Sequence, residues 1–469
     1  MWPAGIPELR YAGPHRFMKL KKSMFSVSLP LTDGQHMLFN SLTSAGVVLD
    51  NAGFNKFSSP EEQEAEDPVI SGLRENGFLV PADENETAAY WTFYQRTKQQ
   101  SAFKDFHLVI LPTYKCNFRC KYCFEDNDKF ERGNSPALTS EKVLKWLDAQ
   151  HKNLSFKKLD VVFYGGEPLL EKGLFYSYLS DIKNYAHTKN LEFSFSIITN
   201  ASLMDEKVCR KLHDSGVKNI QITIDGPQKA HDERRPYKDG SGSFNDVIRN
   251  LKTAIKYGLP ITIRLNIDKH NAKDVSQFVT ELHAQGILPH DNVKLAPGLV
   301  DPTPGRKEWN EQYVPQTFAE RVEWMEIAKS GLRESEPDPF ALLKEHRAQF
   351  GLCHAKLDNT FILGADGKLF NCYSFIGYDD AVCGDIHTGV NARFAEFMYF
   401  CDRKVLQCLG EKCPYVPICN GGCFYQSYIQ TGDISKRVCQ RTYFDQVWLP
   451  HRAVVYEDIL AKRAEGGKK

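Results

Sequence analysis

Between Ala102 and about Val314, apolar residues fall into short runs separated by amphipathic stretches of helical period. The runs are Leu108–Thr113, Val161–Tyr164, Phe193–Thr199, Ile220–Ile224, Ile261–Ile267 and Val293–Ala296. Their shortness and their β-branched and aromatic content predict strands. Helical spacing covers Ser140–Gln150, Leu170–Ala186, Asp205–Asp214, Phe244–Tyr257 and Asp274–Gln285 between them. Six strand–helix units in series predict an α/β fold whose parallel sheet is closed or partly closed into a barrel. Active sites in such sheets collect where the strands end.

The stretch 19–100 has another rhythm and predicts a small α+β module. Phe25–Leu29 alternates as a strand does, and His36–Asn40 predicts a second strand entering a helix. Pro68–Val80 predicts a helix stopped by Gly77 and followed by a strand. Residues 1–18 lack an apolar h-region, which predicts an extension and not a secretory signal. Residues 315–350, rich in proline and charge, predict a bridge around a helix over Gln316–Lys329. A last amphipathic helix, Tyr443–Lys462, leads into a charged tail within 441–469.

Charge narrows the partners. The 59 basic residues balance 59 acidic ones, which argues against bulk attraction to nucleic acid or to an anionic membrane. No apolar run approaches the ~20 residues that span a bilayer, so a cytoplasmic protein is expected. The 13 cysteines begin at Cys116, and eight of them lie between Cys372 and Cys439. Without an export signal, metal ligation is a better default for them than a disulfide framework.

Cys116, Cys120 and Cys123 share one loop directly after the first predicted strand. Three thiolates so spaced can hold three corners of a cubane iron–sulfur cluster and leave the fourth iron open to a small molecule. Zinc is the competing reading, although zinc knots usually close all four positions and no fourth ligand lies nearby in sequence. The second strand ends at Tyr164-Gly165-Gly166-Glu167-Pro168, where two glycines permit close backbone approach and Glu167 offers a carboxylate to an ammonium. Thr199-Asn200, Thr223-Ile224-Asp225 and Asn266 end the next three runs; Thr199-Asn200 also fits ordinary turn chemistry.

The motif Cys-x3-Cys-x2-Cys, with Tyr122 before its last cysteine, resembles the radical S-adenosylmethionine (SAM) enzymes. The resemblance implies a partial (β/α)6 barrel over 101–314 and a SAM-binding [4Fe–4S] cluster on Cys116, Cys120 and Cys123. It also implies that Tyr122, Gly165, Gly166, Glu167, Asn200, Thr223 and Arg235 surround SAM. Glu167 and its glycines would meet the methionine ammonium, Thr223 would bring a hydroxyl, and Asn266 would approach the ribose. Arg235 would pair with the SAM carboxylate, a bidentate task suited to guanidinium; the adjacent Arg234 competes for that role.

A second pattern runs from Cys353 through Gly367 and Cys372 to Cys408, Cys413, Cys419, Cys423 and Cys439. It resembles the SPASM extension, here 351–440, which carries two auxiliary [4Fe–4S] clusters. By that resemblance Cys353, Cys372 and Cys423 hold the first, whose fourth ligand is Cys383, another residue or an open site. Cys408, Cys413, Cys419 and Cys439 hold the second. Cys408 and Cys413 have four residues between them where the family usually has two, so Cys401 competes with Cys408. Zinc again is the alternative. Cys209, on an amphipathic helix, reads as a core thiol.

The module at 19–100 resembles the winged-helix domains that capture a leader peptide as an added strand; a packing domain without a ligand is the other reading. Together these resemblances imply a maturase of a ribosomally made peptide. A 5′-deoxyadenosyl radical would abstract hydrogen and an intramolecular cross-link would form, a thioether in preference to a carbon–carbon bond. The implied partners are a precursor peptide with its leader and an electron donor such as flavodoxin or ferredoxin. Two other functions compete. One is an anaerobic sulfatase-maturing enzyme, a family that places an Asp after the cysteine where this chain has Tyr373 after Cys372 and that usually lacks the front module. The other is an iron–sulfur electron carrier, which would leave Gly165-Gly166-Glu167 and Arg235 without a purpose.

Overall fold

The computed structural model describes residues 19–31, 34–60, 67–123, 138–302, 307–315, 317–331, 352–450, 452–454 and 457. They divide into two compact units, one from within 1–98, 335–353 and 399–469, the other from within 99–334 and 354–398. The cysteine-rich stretch 351–440 is thus shared between the units. The expected extension 1–18 and most of the bridge at 332–350 lie outside the described residues. Among the described residues, no helix is long and apolar enough to cross a membrane.

The first unit opens with five short strands, β1 (Leu20–Lys22), β2 (Ser26–Pro30), β3 (His36–Asn40), β4 (Gly46–Leu49) and β5 (Leu79–Pro81). β1 pairs antiparallel with β5, while β2, β3 and β4 form an antiparallel sheet with β3 in the middle. The expected passage from β3 into a helix is instead a chain reversal. Asn40 Oδ1 accepts from the Leu42 and Thr43 amides at 3.0 Å each, an Asx-type turn that sends the chain back as β4. The helix starts only at Asn51, where Asp50 caps it through the Gly53 amide at 2.7 Å. Leu38, Phe57, Ile70, Leu73 and Phe78 close the core beneath. Later residues of the unit share another core, in which Phe25, Tyr90 and Tyr94 meet Val405, Tyr415, Val416 and Phe444. Of the predicted helix Tyr443–Lys462, the part to Pro450 is helical with wide turns over Phe444–Trp448, and most of the rest lies outside the described residues.

In the second unit β6 (Asp105–Ile110), β7 (Lys158–Phe163), β8 (Glu192–Thr199), β9 (Asn219–Thr223), β10 (Ile261–Ile267) and β11 (Val293–Leu299) lie side by side in chain order, all parallel. Parallel neighbours need crossover connections. Helices supply them at Ser140–Leu154, Lys172–Thr188, Glu206–Ser215, Phe244–Lys256 and Val275–Ala284. Alternate strand residues such as Phe106, Leu108, Ile110, Ile261, Ile263 and Leu265 pack with these helices into the main core. β12 (Thr360–Leu363) adds to β6 in parallel, and β13 (Lys368–Phe370), β14 (Gly384–Asp385) and β15 (Gly389–Val390) continue the sheet antiparallel. This is an α/β fold built on a large, mostly parallel sheet, and it brings the ends of β6 to β10 to one edge.

Candidate functional site

The loop Cys116–Cys123 leaves the C-terminal end of β6 and is fixed on two sides by backbone. Gly166 N donates to Thr113 O at 3.2 Å and Glu167 N to Lys115 O at 2.9 Å, so the turn after β7 lies against the start of the loop. A Cβ on Gly166 would overlap the carbonyl oxygens of Tyr114 and Lys115, and Gly165 has φ +116°, so the close approach requires glycine. On the other side Arg119 N donates to Pro236 O at 2.9 Å and Lys121 N to Arg234 O at 3.0 Å. The segment carrying both arginines is therefore stitched to the cysteine loop.

That stitching separates the two arginines by role. Arg234 is buried and ion-paired: its Nε reaches Asp225 Oδ2 at 3.3 Å, its Nη1 bonds Asp268, and its Nη2 donates to Asn266 O at 3.0 Å. Arg235 is also buried, but its recorded hydrogen bond goes to the Tyr122 hydroxyl and its buried Nε has no partner. Burial opposes its charge, yet Cys120, Tyr122 and Asp225 raise its pKa above the ordinary value. Tyr122 also accepts from Asn266 Nδ2 at 3.0 Å, with the Arg234 guanidinium 5.1 Å from its ring centre. Burial would raise the Asp225 carboxyl, but Arg234 and Arg235 hold it below the usual range.

Glu167 stands where the ends of β7 and β8 meet. Its carboxylate is fully buried and bound from inside: Oε1 accepts from Leu169 N at 2.9 Å and Thr199 Oγ1 at 2.8 Å, and Oε2 from Asn200 N at 2.8 Å. It clamps the end of β7 to the end of β8, because backbone amides there need acceptors. Burial raises its pKa against those three bonds. Asn200 likewise holds the loop, donating to Asn117 Oδ1 at 2.9 Å with Cys116 Sγ at 3.8 Å, while its Oδ1 takes Ser202 Oγ at 2.7 Å. Thr223 is buried at the last position of β9. Sequence reasoning missed Asn117, Ser202 and Asn250, whose Nδ2 donates to Ala201 O at 2.8 Å and Ser202 O at 2.9 Å. It also missed Asp268 and Asn271, though their spacing of three carries a turn signal: Asn271 Oδ1 accepts from the Asp268 amide at 2.8 Å.

The cysteine thiols meet this frame from the loop itself. Burial and then Glu167 push the Cys116 thiol up to about 12, so a thiolate there calls for positive charge. Among the described residues, no three His, Cys, Asp or Glu side chains are arranged around a single metal ion. A cubane asks for something else, since each thiolate binds its own iron. The glycines let the turn pack on the cysteine loop, and the unpaired Arg235 Nε fits a carboxylate beside that loop.

A second cysteine cluster lies wholly within the first unit. Cys408, Cys413, Cys419 and Cys439 line one pocket with Tyr415, Phe444 and Arg437. Cys408 ends the helix Ala392–Gly410, and Cys419 ends the short helix Val416–Cys419. Gly421, with φ +79°, passes Lys404 so closely that a Cβ would stand 2.9 Å from that side chain. Arg437 Nη1 donates to Cys408 Sγ at 3.2 Å. Burial raises the Cys408 thiol and Arg437 opposes the rise. Cys401 is buried about two helical turns earlier and does not line the pocket. No three of the four pocket thiols surround a single metal ion, whereas a multi-iron cluster would take one iron per thiol. Of the other predicted ligands, Cys353 and Cys423 belong to the first unit and are exposed, whereas Cys372 follows β13 in the second. Cys383 and Cys209 are buried thiols.

Residues 110–282 match the family described as the radical SAM superfamily. A radical SAM cyclopropyl synthase, TigE of Paramaledivibacter caminithermalis, is 26% identical over 214 residues, 42% of this chain and 43% of its own. A cysteine-type anaerobic sulfatase-maturating enzyme of Clostridium perfringens (strain 13) is 23% identical over 340 residues, 67% of this chain and 88% of its own. The chain spans about half the length of the first curated relatives it matches. Among solved structures, Streptococcus suis SuiB bound to S-adenosylmethionine superposes with a TM-score of 0.51 at 14% identity, covering 90% of this chain and 99% of SuiB. SuiB has also been solved with its precursor peptide SuiA.

Proposed function

We propose, from the match of residues 110–282 to the radical SAM superfamily, a maturase that installs an oxidative intramolecular cross-link in a ribosomally made peptide. The observation that carries the reading is the cysteine loop pinned between the Gly165-Gly166 turn and Arg235, whose buried Nε lacks a partner. A [4Fe–4S] cluster held there, with an external one-electron reductant, would supply the reductive cleavage of SAM that radical hydrogen abstraction requires. Cys116, Cys120 and Cys123 would hold the cluster, and Arg235 would receive the SAM carboxylate. Backbone groups at Gly165 and Gly166 would meet the methionine end, and Tyr122 and Asn266 orient Arg235 through their shared hydroxyl contact. Glu167 and Asn200 act one step back by fixing the loop and strand ends.

Peptide modification is supported by the fold shared with SuiB, a protein solved with its precursor peptide. The three-stranded sheet of the first unit has β2 and β4 as its outer strands, where a leader could add as another strand. For a thioether, the C–H hydrogen leaves to the radical, the S–H proton to a base and the remaining electron to an acceptor. Cys408, Cys413, Cys419 and Cys439 would hold an auxiliary cluster able to take that electron.

The test is anaerobic reconstitution followed by dithionite, SAM and a cysteine-containing candidate precursor peptide, read by mass spectrometry. Two hydrogens lost per bond, with fragmentation blocked across a ring and 5′-deoxyadenosine formed, is the expected result. Deoxyadenosine with an unaltered peptide would overturn this substrate, and a sulfatase-motif peptide would be tried next.

A further inference from the structure

We propose that Arg437 raises the reduction potential of the cluster bound in the Cys408–Cys413–Cys419–Cys439 pocket, and that Glu411 limits that rise. The inference rests on the reading of this pocket as a [4Fe–4S] site. Arg437 stands two residues before Cys439, and its side chain is only 20% exposed. One arm of its guanidinium donates to Cys408 Sγ at 3.2 Å; the other pairs with Glu411 Oε1 at 2.8 Å. Glu411 follows the helix whose last turn carries Cys408, so ligand, cation and counter-charge are set by one helix end and one loop. The pocket's other lining cation, Arg441, faces Asp445, with Nε 3.6 Å from Oδ2.

Four thiolates around a cubane make a site that is negative when oxidised and more negative when reduced. A guanidinium donating to a ligand sulfur stabilises the reduced form more, because the added charge lies on the cluster and its sulfurs. Around a half-buried pocket the interaction is screened less than on open surface. Glu411 on the far arm orients the guanidinium but subtracts from its field. Arg437 and Glu411 therefore act with opposite signs on one potential, a relation that a purely structural clamp would not produce. A higher potential makes this cluster a better acceptor for the electron released in the oxidation.

The test uses the full-length chain, reconstituted anaerobically, as wild type, Arg437→Gln, Arg437→Lys and Glu411→Gln. Iron and sulfide are counted first, and midpoint potentials are then read by EPR-monitored redox titration. Arg437→Gln should shift one midpoint to lower potential by about a tenfold change in the one-electron equilibrium, some 59 mV. Arg437→Lys should shift it less, and Glu411→Gln should shift the same midpoint upward. The cluster on Cys116, Cys120 and Cys123 should keep its potential in all four. Unchanged midpoints at full iron content, or shifts of one sign in both Arg437→Gln and Glu411→Gln, would overturn the proposal. Should Arg437→Gln fail to retain iron, Arg437→Lys and Glu411→Gln still decide the sign. Wild-type iron that is wholly lost on removing Cys120 would instead sink the reading of the pocket as a cluster site.

Discussion

The two cysteine sites are assembled in different ways. At the sheet edge three thiols come from eight consecutive residues, and neighbouring strand ends hold the loop through backbone amides and one buried carboxylate. In the pocket four thiols come from a helix end, a short helix and connecting segments spread over 408 to 439, framed by aromatic rings and a guanidinium. Three ligands leave a coordination position open, and four close it. The polar surroundings differ accordingly. Arg235 keeps a buried donor unpaired beside the loop, while Arg437 already spends its donors on a sulfur and a carboxylate. An open site suits a small-molecule ligand, and a closed one suits electron transfer.

Single cysteine substitutions test that contrast most severely. Cys120→Ala should abolish SAM cleavage, whereas Cys419→Ala should lose about one cluster of iron yet still form 5′-deoxyadenosine; product analysis and iron counts report both. Within the pocket, Cys408→Ala should lose that iron and Cys401→Ala should retain it, as measured on the purified, reconstituted variants. Equal loss from both would break the assignment of Cys408.

The arginine pair gives the next largest effects. Arg234→Gln leaves Asp225 and Asp268 buried without their cation, and loss of one partner from such a network costs about 3–5 kcal/mol. Thermal or urea unfolding should show it. Arg235→Gln should destabilise less than Arg234→Gln, because Arg235 makes no direct ion pair among the described residues, and weaken SAM binding by about ten- to hundredfold, since hydrogen bonds to charged groups contribute ~1.5–3 kcal/mol. Tyr122→Phe should cost less, roughly tenfold or under, because it removes only the hydroxyl that orients Arg235 and Asn266. Equilibrium binding of SAM to the reconstituted chain separates these cases.

What could be read in advance depended on how far apart the cooperating residues lie. β10 was legible to the residue, because Ile261, Ile263, Leu265 and Ile267 alternate cleanly into the core. β6 begins three residues before its apolar run: Asp105 and His107 belong to the ladder although they break the hydrophobic pattern. The cysteine loop and its Gly-Gly neighbour announced themselves by spacing. Glu167 did not disclose its role, because its acceptors serve amides at Leu169 and Asn200, and the second of these is a neighbour only once β7 and β8 are paired. The pairing of Arg234 with Asp268 was equally hidden, since the two lie 34 residues apart. Arg437 carried no motif; only the pocket places it on Cys408.

The central claim is that the loop Cys116–Cys123 binds a cluster that cleaves SAM. The direct measurement is the yield of 5′-deoxyadenosine and methionine from anaerobically reconstituted full-length chain given SAM and dithionite, with Cys120→Ala beside it. The account predicts equal amounts of the two products from the wild type and none from the variant. Full iron incorporation without either product, or formation that survives Cys120→Ala, would contradict it.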